Sequence, residues 1–128
     1  LAIAEYPKVE AKMQRVLEID EHYFNSAPNM FMGFSYGSRP PMFGGNPDKS
    51  KKHFERALAA YKRRFLMTQV LYAQSYAVQN QDRALFDSLL NEVVAGDASA
   101  FPEQRLANEL AKLRAQWLLA NPGQVGMF

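Results

Sequence analysis

Hydrophobic residues in this chain recur mainly at three- and four-residue spacing, which puts side chains on one face of an α-helix. From Ile3 to Ile19, residues Tyr6, Val9, Met13, Val16 and Leu17 share a face, with Lys8, Lys12 and Arg15 outside it. Asn25, Ser26 and Pro28 interrupt that pattern, and Ser26 is suited to cap a second helix over Ala27 to Gly37. This second segment, with Phe31, Met32, Phe34 and Tyr36, is apolar nearly all round, as a buried helix is. A third helix runs from Pro47 to about Tyr61, with its stripe on Phe54, Ala57, Leu58 and Tyr61. The fourth covers Arg64 to Val78 and carries Phe65, Val70, Leu71, Tyr72, Ala73 and Tyr76. The fifth, Arg83 to Ala95, uses Leu85, Phe86, Leu89, Leu90 and Val93, and Gly96 closes it. In the last, Glu103 to Ala120, Leu106, Leu110, Leu113 and Trp117 line one face before Asn121-Pro122-Gly123 stops it. No stretch alternates with the period of a strand. The pattern predicts an all-α chain of about six helices.

One stretch resists the helical period. Between Tyr36 and Asn46, Pro40 and Pro41 lack backbone donors, and Pro41 biases Pro40 away from helical angles. Gly44-Gly45 then admits backbone angles that other residues avoid. Asn46 is a good N-cap, Pro47 fits the first helical position, and Asp48 complements the helix dipole. A loop of about a dozen residues is longer than a simple connector needs, and such loops often carry function.

Short helices joined by short turns suggest a repeat. Met32-Gly33-x-x-Tyr36 matches the L-G-x-x-Y of a tetratricopeptide A helix, and Ser50-x-x-x-Phe54-x-x-Ala57 matches its B helix. The loop between them is longer than in a 34-residue unit by about five residues. Tyr72-Ala73-x-x-Tyr76 and Phe86-x-x-Leu89 repeat the pattern weakly, and the first helix reads as a B helix without its A partner. The expected architecture is a single tetratricopeptide-like domain over 1–128, an α-α solenoid with a concave face that includes Tyr72 and Tyr76. The start at Leu1, without an initiator methionine, is read as the C-terminal part of a longer protein.

Composition narrows the chemistry. At 128 residues, 48% hydrophobic and 22% charged, the chain has the balance of one ordinary globular domain. There is no cysteine, so disulfides, thiolate metal sites and cysteine nucleophiles are excluded within it. His22 and His53 have no second ligand or carboxylate at a spacing typical of metal sites or triads. Glu18, Asp20 and Glu21 lack the glycine turn of a calcium loop. No catalytic residue, metal or cofactor is expected. The net charge is only +2, and the basic run from Lys49 to Arg64 reads as a solvated helix face, not a nucleic-acid patch. Met42 and Phe43 are apolar residues in a proline- and glycine-rich loop, and they either tuck back onto the helices or contact a partner or ligand.

Four segments together resemble the C-terminal half of the T-component family of tripartite ATP-independent periplasmic (TRAP) transporters. They are SRPPMFGGNPDKSKKHFERAL, FLMTQVLYAQSYA, DRALFDSLLNEVVAGD and RLANELAKLRAQWLL. The run R-P-x-x-x-G-G-(N/D)-P before H-F-E-R-A-L is the most specific piece, and the ending over Ala107 to Leu119 is the second. The resemblance implies a periplasmic, often lipid-anchored, non-enzymatic accessory protein that binds the solute-binding P component. It also implies self-association and a passage for hydrophobic ligands. The residues carried over as partner-binding are Arg39, Pro40, Gly44, Gly45 and Asn46, with Met42 and Phe43 added as apolar residues of the same loop. Alternative readings are a carrier of apolar small molecules and a generic tetratricopeptide scaffold.

Overall fold

The computed structural model of the chain describes residues 3–125, and among them six α-helices and no strand are found. A 3-10 turn, Ile3–Glu5, leads into α1, Tyr6–Ile19. The next helix, α2, spans Tyr23–Gly37, but Phe24, Asn25 and Ser26 have left-handed φ values of 47°, 59° and 62°. Regular helix therefore begins at Ala27, where the sequence pattern puts it. In a continuous helix the ring of Pro28 would clash with the carbonyl four residues earlier, that of Phe24, and Pro28 lacks a backbone donor, so regular helix does not run through from α1. Ser26 does not act as the expected cap, because its buried Oγ has no hydrogen-bond partner.

Helix α3, Pro47–Ala60, is capped as expected: the Asn46 side chain accepts from the Lys49 N–H at 3.1 Å. The fourth helix starts later than its pattern suggests. Lys62 and Arg63 adopt left-handed angles, with φ of 53° and 61°, and the Arg63 N–H closes onto the Leu58 carbonyl at 2.9 Å. Helix α4 accordingly covers Met67–Tyr72 and passes directly into a π-helical turn, Ala73–Ala77. Asp82 caps α5, Arg83–Ala95, by accepting from the Leu85 N–H at 3.0 Å. Gly96 ends α5 with extended angles, not the left-handed ones of a C′ glycine. Two 3-10 turns then lead into α6, Arg105–Ala120.

The core is drawn from α3 to α6, with the Phe54 and Tyr72 rings stacked at 4.7 Å near its centre. Helix α2 lies against α3, and the tetratricopeptide-like signature explains why they approach so closely. A Cβ on Gly33 would stand 2.8 Å from the Phe54 ring, and one on Gly37 would stand 2.4 Å from the Ser50 hydroxyl. That hydroxyl in turn donates to the Gly33 carbonyl at 2.7 Å. Helix α1 packs on α2 without burying any residue fully.

Helix α6 turns inward a face other than its leucine stripe. Asn108, Ala111, Ala115 and Leu118 are buried, while Leu106, Leu110, Leu113 and Trp117 are 73%, 53%, 62% and 44% exposed. Two alanines let the α6 backbone come close to its neighbours, and Asn108 fixes the rotation. Its Oδ1 accepts from the Leu66 N–H at 2.9 Å, and its Nδ2 donates to the carbonyls of Arg64 and Ala98 at 2.9 and 3.2 Å. A buried amide with three partners outweighs the pull of an exposed stripe, because breaking it would strand each partner away from water.

Candidate functional site

The loop between α2 and α3 holds the carried-over residues, and its shape follows from its sequence. Pro40 is extended, and its carbonyl accepts from the N–H groups of Phe43 and Gly45 at 2.9 and 3.1 Å, closing a 3-10 turn over Pro41–Phe43. Gly44 takes a φ of +91°, which only glycine adopts without strain. Gly45 is required for a different reason: a Cβ there would meet the Arg39 carbonyl at 1.8 Å. The Asn46 N–H ties the end of the loop back to the Tyr36 carbonyl at 2.9 Å.

Arg39 lies beneath this loop and is only 9% exposed. Its Nε donates to the Ser35 carbonyl at 3.0 Å and its Nη1 to the Phe43 carbonyl at 3.0 Å. Its Nη2 donates to the Ser35 hydroxyl at 3.1 Å and pairs with the Glu10 carboxylate. The Ser35 hydroxyl donates to the same Glu10 oxygen at 2.8 Å, and the Arg39 guanidinium stacks on the Tyr6 ring at 4.1 Å. One side chain therefore joins α1, α2 and the loop. Its donors face inward, so it acts as a clamp and not as a surface contact. The tip above it is open: Met42 is 81% and Phe43 48% exposed. The pair is therefore not folded back into the core.

Tyr72 belongs to the core and not to an open concave face. Tyr72 is 2% exposed, its ring lies between Phe54 and Tyr76, and its hydroxyl donates to Glu55 at 3.2 Å. Burial, with Glu55 adding to it, raises its pKa well above the ordinary tyrosine value. Tyr76 is half-buried. Nearby, Arg63 grips Glu92 with two hydrogen bonds of 2.9 and 2.6 Å, and Gln69 donates to the same carboxylate at 2.9 Å. Burial pushes the Glu92 pKa up, but the bonds from Arg63 and Gln69 outweigh it and the net shift is downward.

Beside the loop, the His53 Nδ1 meets the Asn29 Oδ1 at 2.9 Å, and Asn29 donates to Glu21 at 3.3 Å. The His53 ring stacks on Tyr36. Burial lowers the His53 pKa, and Arg56, Lys52 and Lys49 push it the same way. A separate, wholly apolar groove of about 320 Å³ opens between α2 and α4, lined by Ala27, Met30, Phe31, Phe34 and Leu71. Met42 and Phe43 lie outside its lining.

Glu10, Ser35 and Asn108 carry more of the architecture than their sequence context suggests. A signal existed for Glu10, since it falls three residues before Met13 and seven before Leu17, on the packing side of α1. Among the described residues, no group of three or more His, Asp or Glu side chains could hold a metal ion, and no helix is long and apolar enough to cross a membrane.

Comparison with known proteins locates this architecture. A protein of Treponema pallidum (strain Nichols), described only as uncharacterized, is 29% identical over 86 residues. The match covers 67% of this chain and 27% of that protein, so the chain spans well under half the length of the relative it matches. The family model of the TRAP transporter T-component matches residues 1–125, a span that includes the clamp, the glycine loop and the Asn108 hub. The chain belongs to the TRAP transporter T-component family.

Proposed function

We propose that the chain serves as a non-enzymatic, periplasmic accessory of a TRAP transporter and docks its solute-binding component through the loop from Pro40 to Asn46. The observation that carries this reading is an apolar tip, Met42 and Phe43, held away from the core by a loop whose backbone is fixed from beneath. A tip already rigid before contact loses little conformational freedom on docking, which favours affinity. In this reading Arg39 supports the site and the tip makes the contact. Pro40, Gly44, Gly45 and Asn46 shape the loop. Family membership supports the transporter assignment, and the α2–α3 pair supports a tetratricopeptide-like repeat arrangement. Periplasmic placement and lipid anchoring belong to the same proposal.

The test is the affinity of the chain for the solute-binding protein of its own transporter, measured by titration calorimetry. The double variant Met42→Asp/Phe43→Asp is expected to bind at least about tenfold more weakly. Its helical content and unfolding midpoint should stay as in the parent, because both side chains are exposed. Undiminished affinity would remove the tip from the interface.

The α2–α4 groove favours a second reading, a carrier of apolar small molecules. Its volume lies at the small end of the range for ligand pockets, and no polar side chain lines it. A fluorescent fatty acid should bind the parent and lose its signal in Ala27→Phe, which fills the groove. Equal signal from both proteins would sink this reading and leave the docking proposal untouched.

A further inference from the structure

Methionine sulfur is the softest nucleophile in the chain, which has no cysteine to compete with it. The fold treats its methionines unequally. Met30 and Met32 are 8% and 2% exposed, and the Met30 sulfur also accepts from the Thr68 hydroxyl at 3.1 Å, which occupies a lone pair. Met13 and Met67 are half-buried, the latter against the core. Met42, at 81%, is the most exposed large hydrophobic side chain among the described residues. Its loop keeps it there. The Phe43 and Gly45 N–H groups are both held by the Pro40 carbonyl, and the Phe43 carbonyl is held by Arg39. The backbone around Met42 is therefore fixed with this side chain outward.

We propose that Met42 is the oxidation site of this chain: a two-electron oxidant such as a peroxide converts it to the sulfoxide ahead of the other described methionines, and the product weakens docking through the tip. The inference rests on the docking reading of the same loop and adds its regulation. The step balances with the peroxide alone. A sulfur lone pair attacks one peroxide oxygen, and the S–O bond forms as the O–O bond breaks. The proton on the transferred oxygen passes through solvent to the departing hydroxide, which leaves as water. Sulfur is oxidised by two electrons and the peroxide is reduced by two. That proton passage needs water at the sulfur, which Met42 has and Met30 and Met32 lack. The sulfoxide exchanges a pliable apolar end for a polar S=O acceptor. Covered by the apolar surface of a partner, that oxygen would lose its water without gaining a donor, so the contact weakens. Sulfoxide reductases, driven by thiols, return the thioether, so the change is reversible.

The test has two readouts. The full 128-residue chain, exposed briefly to hydrogen peroxide and read by peptide mass spectrometry, should gain oxygen at Met42 at least about tenfold faster than at Met13, Met30, Met32 or Met67. In guanidinium the rates should converge, because the fold and not the local sequence makes the selectivity. Faster oxidation of any of the other four would overturn the proposal. Chain oxidised at Met42 should then bind the solute-binding protein of its own transporter about tenfold more weakly in calorimetry, and sulfoxide reductase with dithiothreitol should restore the affinity. Met13→Leu/Met67→Leu, which lacks the half-buried sulfurs, should lose affinity on oxidation by the same factor. If that variant is insensitive to peroxide, the effect belongs to those sulfurs and the switch is overturned. Unchanged affinity after complete oxidation of Met42 would overturn it as well. An unoxidised parent that does not bind would overturn the docking reading and the switch with it, while the peptide rates would still decide the oxidation site.

Discussion

Arg39 sits in the most specific stretch of the sequence, and the chemistry of its guanidinium explains why. A planar cation with five donors can bond the Ser35 and Phe43 carbonyls, the Ser35 hydroxyl and the Glu10 carboxylate at once, which a lysine ammonium cannot do. Removing one member of a buried pair leaves the other charged and uncompensated. Arg39→Ala is therefore expected to destabilise the chain by about 3–5 kcal/mol, read from urea unfolding. Arg39→Lys should lose less, because it keeps the charge but not the fork. A near-neutral Arg39→Ala would mean that Glu10 finds water and that the clamp contributes little. The arginine and the glycines of this loop stand out in the sequence, since their spacing has no helical explanation. Their separate causes were not readable there. Gly44 is a glycine because of its left-handed φ, and Gly45 because the Arg39 carbonyl lies against it, a contact that exists only after the loop closes.

At the scale of elements, the cap of α3 was legible and facing directions were not. Asn46 caps α3 where its local pattern puts it, because capping is a contact between residues three apart, whereas Ser26 and Gly96 do not close their helices as expected. The small positions of α2 were legible in the same way, as half of a repeat signature. Gly33→Ala tests their role. The added methyl would stand 2.8 Å from a Phe54 ring that is fully buried and stacked on Tyr72, so the ring has no room to retreat. A loss of about 1–3 kcal/mol by chemical denaturation is expected. Gly123→Ala, with nothing within 4 Å of the new atom, serves as the control and should change little. A neutral Gly33→Ala would show that α2 and α3 can separate slightly without cost. Helix α6 shows the limit of pattern reading. Its leucine stripe is the more hydrophobic face, yet the alanine and asparagine face is buried, because close approach and three amide hydrogen bonds outweigh side-chain bulk.

For the whole molecule, acidity offers a test of how α2 and α3 are joined. His53, on α3, meets Asn29 on α2 and is faced by Tyr36, Glu21, Lys49, Lys52 and Arg56. Its pKa in the fold is lowered from the ordinary value of 6.5, first by burial and then by the three cations. The unfolded chain thus binds more protons in the window just below that value, and stability falls as pH drops through it. Thermal melts at about pH 7.5 and about pH 5.5 should show a lower midpoint at the acid end, with a smaller difference in His53→Gln. An unchanged difference in that variant would assign the effect to other groups. Glu92 follows the same direction at lower pH: its pKa is lowered in the fold, so its contribution is lost as the pH falls through the carboxylate range. The sequence by itself determined the helical class, the number of helices, the Asn46 cap, the irregular loop and the absence of cysteine chemistry, because each depends on residue identity or on spacing within a few positions. Only the tertiary structure decided that Arg39 points inward while Met42 and Phe43 point outward, that Tyr72 belongs to the core, and that α6 shows its leucines to solvent. Those outcomes depend on partners 29 residues from Arg39, 17 from Tyr72 and 42 from Asn108, and no local pattern records which distant groups will meet.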